Sequence, residues 1–230
     1  MSVHGTKRDM AQGIDQRASA QIYQTLRRRI IVGDIPQGSR LAEMRIAEEL
    51  EVSRIPLREA IPQLETDGFV QTLPRRGTMV SRWTTDQVHD LFDTRLALEP
   101  AAARRAATRI AAGAPITELL RVQDESESEG RTGDQLGIAN ANTQYHQALV
   151  DTAQNGLMSS LMRATGGRMA WLFYLTRQRD AEVAHTEHRE ITEVLRSGNA
   201  RLAEAVVYAH IEVGREPSLA ALEAFLSAAD

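Results

Sequence analysis

Cysteine is absent from all 230 residues, which excludes disulfides and thiolate metal sites. No apolar run approaches the roughly 18 residues of a membrane span, and no signal peptide is visible, so a cytoplasmic protein is expected. Aromatic residues are scarce, with two Trp, four Phe and four Tyr. The core must therefore rest mainly on Leu, Ala, Ile, Val and Met. A strong basic excess is also missing, since the net charge is −4. That total hides an asymmetry. The first 84 residues carry 13 Lys/Arg against 10 Asp/Glu, and the remainder 14 against 21. A basic first part joined to an acidic second part suits nucleic-acid binding by the first part only.

What is present is most informative between Leu41 and Gly77. Leu41, Met44, Ile46, Ala47 and Leu50 form the apolar set of one short helix. Glu51-Val52-Ser53 reads as a turn, with Ser53 as N-cap of a second helix. Leu57, Ala60, Ile61 and Leu64 recur at helical spacing on its inner face, while Arg54 and Arg58 share another face near its start. Asp67-Gly68 ends the helix. Phe69 to Leu73 and Thr78 to Arg82 suit two strands, with Pro74-Arg75-Arg76-Gly77 at the tip. This is the layout of a winged helix-turn-helix, which lays its second helix in the major groove of DNA. Pro62 removes the N–H that would bond to the Arg58 carbonyl, so a kink is expected there.

The run VSRIPLREAI-x-x-LE-x-x-GFV-x-x-x-P-x-RG-x-x-V resembles the DNA-binding domain of the GntR superfamily of bacterial transcription regulators. The resemblance covers about residues 16 to 82. It implies that Ser53, Arg54 and Arg58 reach DNA from the recognition helix, and that Arg75, Arg76 and Gly77 follow the minor groove or backbone from the wing. A recognition helix reads only a few base pairs, so a homodimer on a palindromic operator is expected.

Three segments are predicted: a disordered tail over 1–15, the winged domain over 16–82 and an all-helical domain over 83–230. The first ordered helix spans about Ala18 to Val32, with Ile22, Leu26 and Ile30 on one face. Beyond Trp83 the pattern is helical near 85–112, 115–129, 134–153, 156–179, 182–197 and 200–228. Pro100 and Pro217 are candidate kinks. The fold expected is mainly α: a winged helix-turn-helix with a small β-hairpin, then an antiparallel bundle of six or seven helices.

Histidine spacing marks a second site. Asn142 and His146 lie four apart on one helix face. His188 and His210 each lie 11 residues from Asn199 in the turn between their helices, so in an antiparallel hairpin they sit at matching heights. Pointing inward, the three imidazoles and one amide oxygen could hold a divalent cation. Taken alone, a buried histidine is more often a hydrogen-bonded core residue than a ligand.

The series Arg95-x-x-Leu98-Glu99-x-x-Ala102-Ala103, Tyr145-His146-x-Ala148-Leu149-Val150, Asn155, Glu187-His188-Arg189-x-Ile191, Gly198 and His210 is similar to the FadR C-terminal ligand-binding domain. The resemblance implies a transition metal such as Zn²⁺ held by one Asp and three His, with a small carboxylate as effector. The histidines correspond to His146, His188 and His210, and Asn142 stands at the Asp position, which removes a negative charge. Arg95 is the expected effector ligand, because guanidinium pairs with carboxylate in two-point fashion; a structural ion pair to Asp93 or Glu99 is the alternative. Tyr145, Arg163 and Tyr174 are further candidates for the cavity wall. The expected function is a ligand-responsive repressor and not an enzyme. The alternatives are a metal-dependent hydrolase or lyase on the bundle, and a DNA-binding scaffold without effector.

Overall fold

The computed structural model describes residues 4–176 and 181–229, with side chains over 17–176 and 182–227. The chain divides into two compact units, 1–82 and 83–230.

In the first unit, α1 (His4–Val32) leads to α2 (Glu43–Glu49), α3 (Arg54–Thr66), β1 (Val70–Leu73) and β2 (Gly77–Val80). Leu26, Ile30, Leu57, Leu64 and Phe69 form its closed core. The helix begins at His4 and not near Ala18, which corrects the expected tail. Polar composition argues against burial, not against helix: once the packed half has formed, each added residue gains a hydrogen bond for little further cost. The Tyr23 hydroxyl donates to Asp67, tying α1 to the end of α3. The strands pair antiparallel, with Val70 opposite Val80 and Leu73 opposite Gly77. Leu41, expected on the first short helix, precedes α2 and with Arg40 joins this ribbon. Arg40 bridges Met79, and Leu41 N–H donates to the Thr78 carbonyl at 2.9 Å.

One local expectation differs. Ser53 occupies the N-cap position of α3, but its side chain makes no capping bond. Helix α3 continues through Pro62. Pro62 is exposed, so the Arg58 carbonyl it deprives can turn to water instead.

The second unit comprises α4 (Thr85–Ala111), α5 (Thr117–Gly130), α6 (Gln135–Thr152), α7 (Gly156–Leu175), α8 (Ala181–Arg196), α9 (Ala200–Val213) and α10 (Arg215–Ala229). Residues 177–179 of the expected fourth helix of this unit lie outside the described residues. A reciprocal capping box between Thr84 and Gln87 starts α4. This helix packs against α6, α7, α8, α9 and α10. Ala102, Ala103, Ala106 and Ala107 are fully buried along it, and such small side chains let α9 approach closely. Gly198 turns the chain into α9 with φ +72°, and a Cβ there would come within 2.8 Å of the Ala111 Cβ. Position 198 therefore needs glycine for both conformation and space. Pro100 is buried without interrupting α4. The expected last helix is two, parted at Gly214. Pro217 falls in the first turn of α10, where a missing N–H leaves no intrahelical bond unmade. Among the described residues no helix is long and apolar enough to cross a membrane.

Candidate functional sites

The first unit presents its cationic side chains on the elements that the sequence singled out. Ser53, Arg54 and Arg58 are exposed at the start of α3, and Arg75 and Arg76 at the tip between β1 and β2. Arg75 has φ +64° and Gly77 φ +76°. The Arg75 backbone is thus left-handed, a conformation that costs a non-glycine residue about 1–2 kcal/mol. One acidic side chain was not foreseen. Glu43 accepts from Arg58 Nε at 3.1 Å and lies 4.0 Å from Arg54. With α2 and α3 the wing frames a groove lined by Arg40, Glu43, Met44, Arg54, Arg58 and Gly77.

In the second unit, His146 on α6, His188 on α8 and His210 on α9 converge. Their nearest ring nitrogens all lie within 4.8 Å of one another. They line a cavity of about 240 Å³ together with Asn142, Arg95, Phe92, Phe173 and His185.

The hydrogen-bond network fixes what each imidazole presents. His146 is neutral at pH 7. Burial is the main cause, and it brings the ring down to about 4 in spite of the facing Glu99 carboxylate. Its Nδ1–H then donates to Glu99 Oε2 at 2.7 Å, and its Nε2 accepts from Arg95 Nη2 at 3.1 Å. His210 Nδ1 pairs with Glu187 Oε2 at 2.8 Å, which leaves Nε2 for the cavity. His188 is different. Both its ring nitrogens are buried and have no hydrogen-bond partner. Burial holds this imidazole well below its ordinary value, so it too is neutral. Asn142 Oδ1 is a further buried acceptor without a partner.

These are the marks of a cation site. Carboxylates behind His146 and His210 orient the rings and raise their basicity, and the orphan atoms of His188 and Asn142 are costly unless something satisfies them. The residues present therefore fit a transition metal held through nitrogen and one amide oxygen. Such an ion at this position would supply a positive anchor for an anion.

Arg95 forms the ion pair offered as its alternative role and also borders the cavity. Its Nε donates to Glu99 Oε1 at 2.7 Å across one helical turn. Burial alone would push the Glu99 carboxyl up, but Arg95 and the hydrogen bonds it accepts outweigh this and hold it at about 2. Since His146 is uncharged at neutral pH, the charge balancing Glu99 is that of Arg95. Phe92 and Phe173 flank the guanidinium, with ring centroids 5.6 and 5.3 Å away.

Three expected wall residues stand elsewhere. Tyr145 lies behind His188. Its ring stacks on the imidazole, and it does not line the cavity. Arg163 is exposed and bonds to Ser160, with Asp151 at 3.9 Å. Tyr174 is half-buried, and it is its neighbour Phe173 that reaches the cavity. Glu187 as partner of His210 was not foreseen. Its place beside His188 in sequence gave no sign of it, because it acts across the hairpin.

Both units match known protein families. Residues 18–80 match the gntR family of bacterial regulatory proteins, and residues 90–213 match the FCD domain. The Nta operon transcriptional regulator of Aminobacter aminovorans is 31% identical over 177 residues, covering 76% of this chain and 82% of its own. LutR, an HTH-type transcriptional regulator of Bacillus subtilis, is 27% identical over 210 residues, covering 78% of this chain and 91% of its own. A solved GntR structure from Rhodococcus sp. RHA1 superposes with a TM-score of 0.73 at 24% identity, covering 88% of this chain and 97% of that one. Those families and relatives are regulators of transcription, so the enzyme alternative falls. The chain belongs to the GntR family of transcriptional regulators, with a winged helix-turn-helix DNA-binding domain followed by an FCD ligand-binding domain.

Proposed function

We propose that this regulator is a repressor, binding a palindromic operator as a homodimer and released from it by a small carboxylate. The observation that carries the reading is the cavity itself. It combines three convergent imidazoles, the groups that hold a transition cation, with a buried guanidinium, the group that pairs with a carboxylate. His146, His188 and His210, with Asn142 beside them, would hold a divalent transition ion such as Zn²⁺, whose charge would add to the anion's binding. Arg95 would give the carboxylate two parallel hydrogen bonds. Phe92 and Phe173 would exclude water around it and so strengthen each polar contact. Arg54 and Arg58 would meet base edges, while Arg75 and Arg76 would meet phosphates.

Release requires that the acid bind one arrangement of the DNA-binding domains better than the other. The full-length protein, with an operator selected from a random duplex pool, tests this. Operator affinity is measured with and without lactate, malonate, succinate and citrate in the presence of Zn²⁺. At least one acid should weaken DNA binding. Acids that raise the melting temperature yet leave operator affinity unchanged would favour a scaffold.

A further inference from the structure

Resting on the carboxylate reading above, we infer that this chain's histidine cluster takes up a divalent cation and a carboxylate only as a pair, because Arg95 already stands in the cation's place. The nitrogen accounting comes first. His188 and His210 each offer an unused nitrogen, but His146 does not. Its Nδ1–H is given to Glu99, and Arg95 Nη2 lies against the ring, 3.1 Å from Nε2 and 3.3 Å from Nδ1. A cation approaching the cluster meets a guanidinium bonded to one of its three imidazoles.

The charge accounting points the same way. Helix α4 contributes Arg95 and Glu99, α6 contributes Asn142 and His146, α8 contributes His185, Glu187 and His188, and α9 contributes His210. Among the described residues Arg95 and Glu99 are the buried members of the Arg, Asp and Glu set, and they cancel. Glu99 is engaged on both oxygens, by Arg95 and by His146. Glu187 is partly exposed and turned to His210. With an amide at position 142, none of the described residues that line the cavity is a carboxylate, so the two charges of a cation beside the guanidinium are offset only from behind, by Glu187 through His210. Such partly compensated charge is costly in a low-dielectric cavity.

An anion relieves both obstacles. A carboxylate gives the guanidinium a better acceptor than a neutral imidazole, which frees His146 Nε2. It also brings the missing negative charge. By linkage each partner then raises the affinity of the other by the same factor. Asn142 is the origin of the dependence: a carboxylate there would supply the charge permanently, and its orphaned Oδ1 lies in the cavity wall.

The test uses full-length protein and Co²⁺, titrated calorimetrically and by visible absorption. Buffers are free of carboxylate, or contain acetate, lactate or malonate at constant ionic strength, with free Co²⁺ corrected for complexation. Wild type should bind Co²⁺ weakly alone and roughly 5- to 150-fold more tightly with at least one of the anions. Asn142→Asp should bind Co²⁺ at least about tenfold more tightly than wild type without anion, and should lose most of the anion's effect. Arg95→Gln, where it folds, should likewise tighten Co²⁺ alone. Wild type binding Co²⁺ as tightly as Asn142→Asp without anion overturns the charge argument. Weak wild-type binding that none of the three anions improves overturns the pairing. Neither result touches operator release, which the DNA experiment reads separately.

Discussion

Tyr145 holds His188 in two ways at once. Its ring stacks on the imidazole at 3.8 Å between centroids and 12° between planes, and its hydroxyl donates to the His188 backbone carbonyl at 2.9 Å. Thr192 Oγ1 lies 3.0 Å from the same hydroxyl. Within the cluster of three, His188, whose ring has no hydrogen-bond partner, is thus fixed by stacking and by its own main chain. Burial raises the Tyr145 phenol beyond its ordinary range, so it remains a donor.

Tyr145→Phe should therefore separate the two effects. The stack survives and the hydroxyl is lost. The cost in stability should be about 1 kcal/mol, with a further penalty because the His188 carbonyl and Thr192 lose a buried partner. Co²⁺ affinity in the presence of malonate should fall by roughly tenfold, as when an orienting group behind a ligand is removed. Thermal melts and titration check this. An unchanged affinity would mean that stacking alone positions His188.

Acid should destabilise the metal-free protein earlier than its carboxylates would dictate. His146 is lowered to about 4 and His188 lies well below the ordinary 6.5. In the unfolded chain both accept protons near 6.5. Below that pH the unfolded state binds protons that the folded state refuses. Their contribution is therefore complete above about pH 6.5 and is lost as pH falls towards 4. The slope should reach about 1.4 kcal/mol per pH unit for each histidine. Glu99, held at about 2, adds a loss of the same sign that begins only below its unfolded value of about 4.3. Melting temperatures that stay flat from pH 7.5 to 5 would contradict the buried neutral state of both rings.

At the DNA-binding end, Arg58→Ala should cost about 1–3 kcal/mol at a cognate operator if its guanidinium reads a base. Glu43→Gln should have the opposite sign, since Glu43 holds Arg58 and neighbours Arg54 in the free protein. Arg75→Gly should raise stability by up to about 1 kcal/mol by relieving a left-handed arginine. It should also weaken DNA binding evenly across sequences and flatten the salt dependence by about one phosphate contact. Competition binding at several salt concentrations, alongside melts, distinguishes these outcomes. Wild-type binding by both Arg54→Ala and Arg58→Ala would remove α3 from the interface.

The histidine cluster was legible because helical spacing is a long-range ruler. Asn142 and His146 share a face by periodicity, and the turn around Gly198 puts His188 and His210 at one height. What lies behind the three histidines was not legible. Glu99 was weighed as a partner of Arg95, four residues away, but nothing local tied it to His146 on another helix. Arg163 and Tyr174 sit on the same helix as Phe173. Which of its faces meets the cavity depends on how α7 is rotated, and a helix with apolar residues nearly all round does not fix that. The parting of α9 from α10 was missed because Gly214 and Pro217 fit a kink as well as a boundary. At the amino end, composition hid a helix that propagation from Ile22 to Ile30 can extend.

The proposed response to an acid assigns its grip to Arg95, and the buried pair that Arg95 forms with Glu99 changes how this should be tested. Arg95→Ala would strand Glu99 as an unpaired buried carboxylate, a change that costs about 3–5 kcal/mol in such pairs, so loss of response could reflect loss of the fold. Arg95→Lys keeps the charge against Glu99 while giving up the planar two-point grip on a carboxylate. Operator affinity without acid should stay within about threefold of wild type, a free-energy change of about 0.6 kcal/mol. Wild type should show a coupling of about 1–3 kcal/mol, a change of roughly 5- to 150-fold in operator affinity on saturation with the releasing acid. Arg95→Lys should lose most of it and need more acid to reach what remains. The check is a full acid titration of operator binding for both proteins, with folding verified by melts. If Arg95→Lys responds at the wild-type acid concentration with the wild-type amplitude, the guanidinium is a structural ion pair and the effector is held by other groups in the cavity.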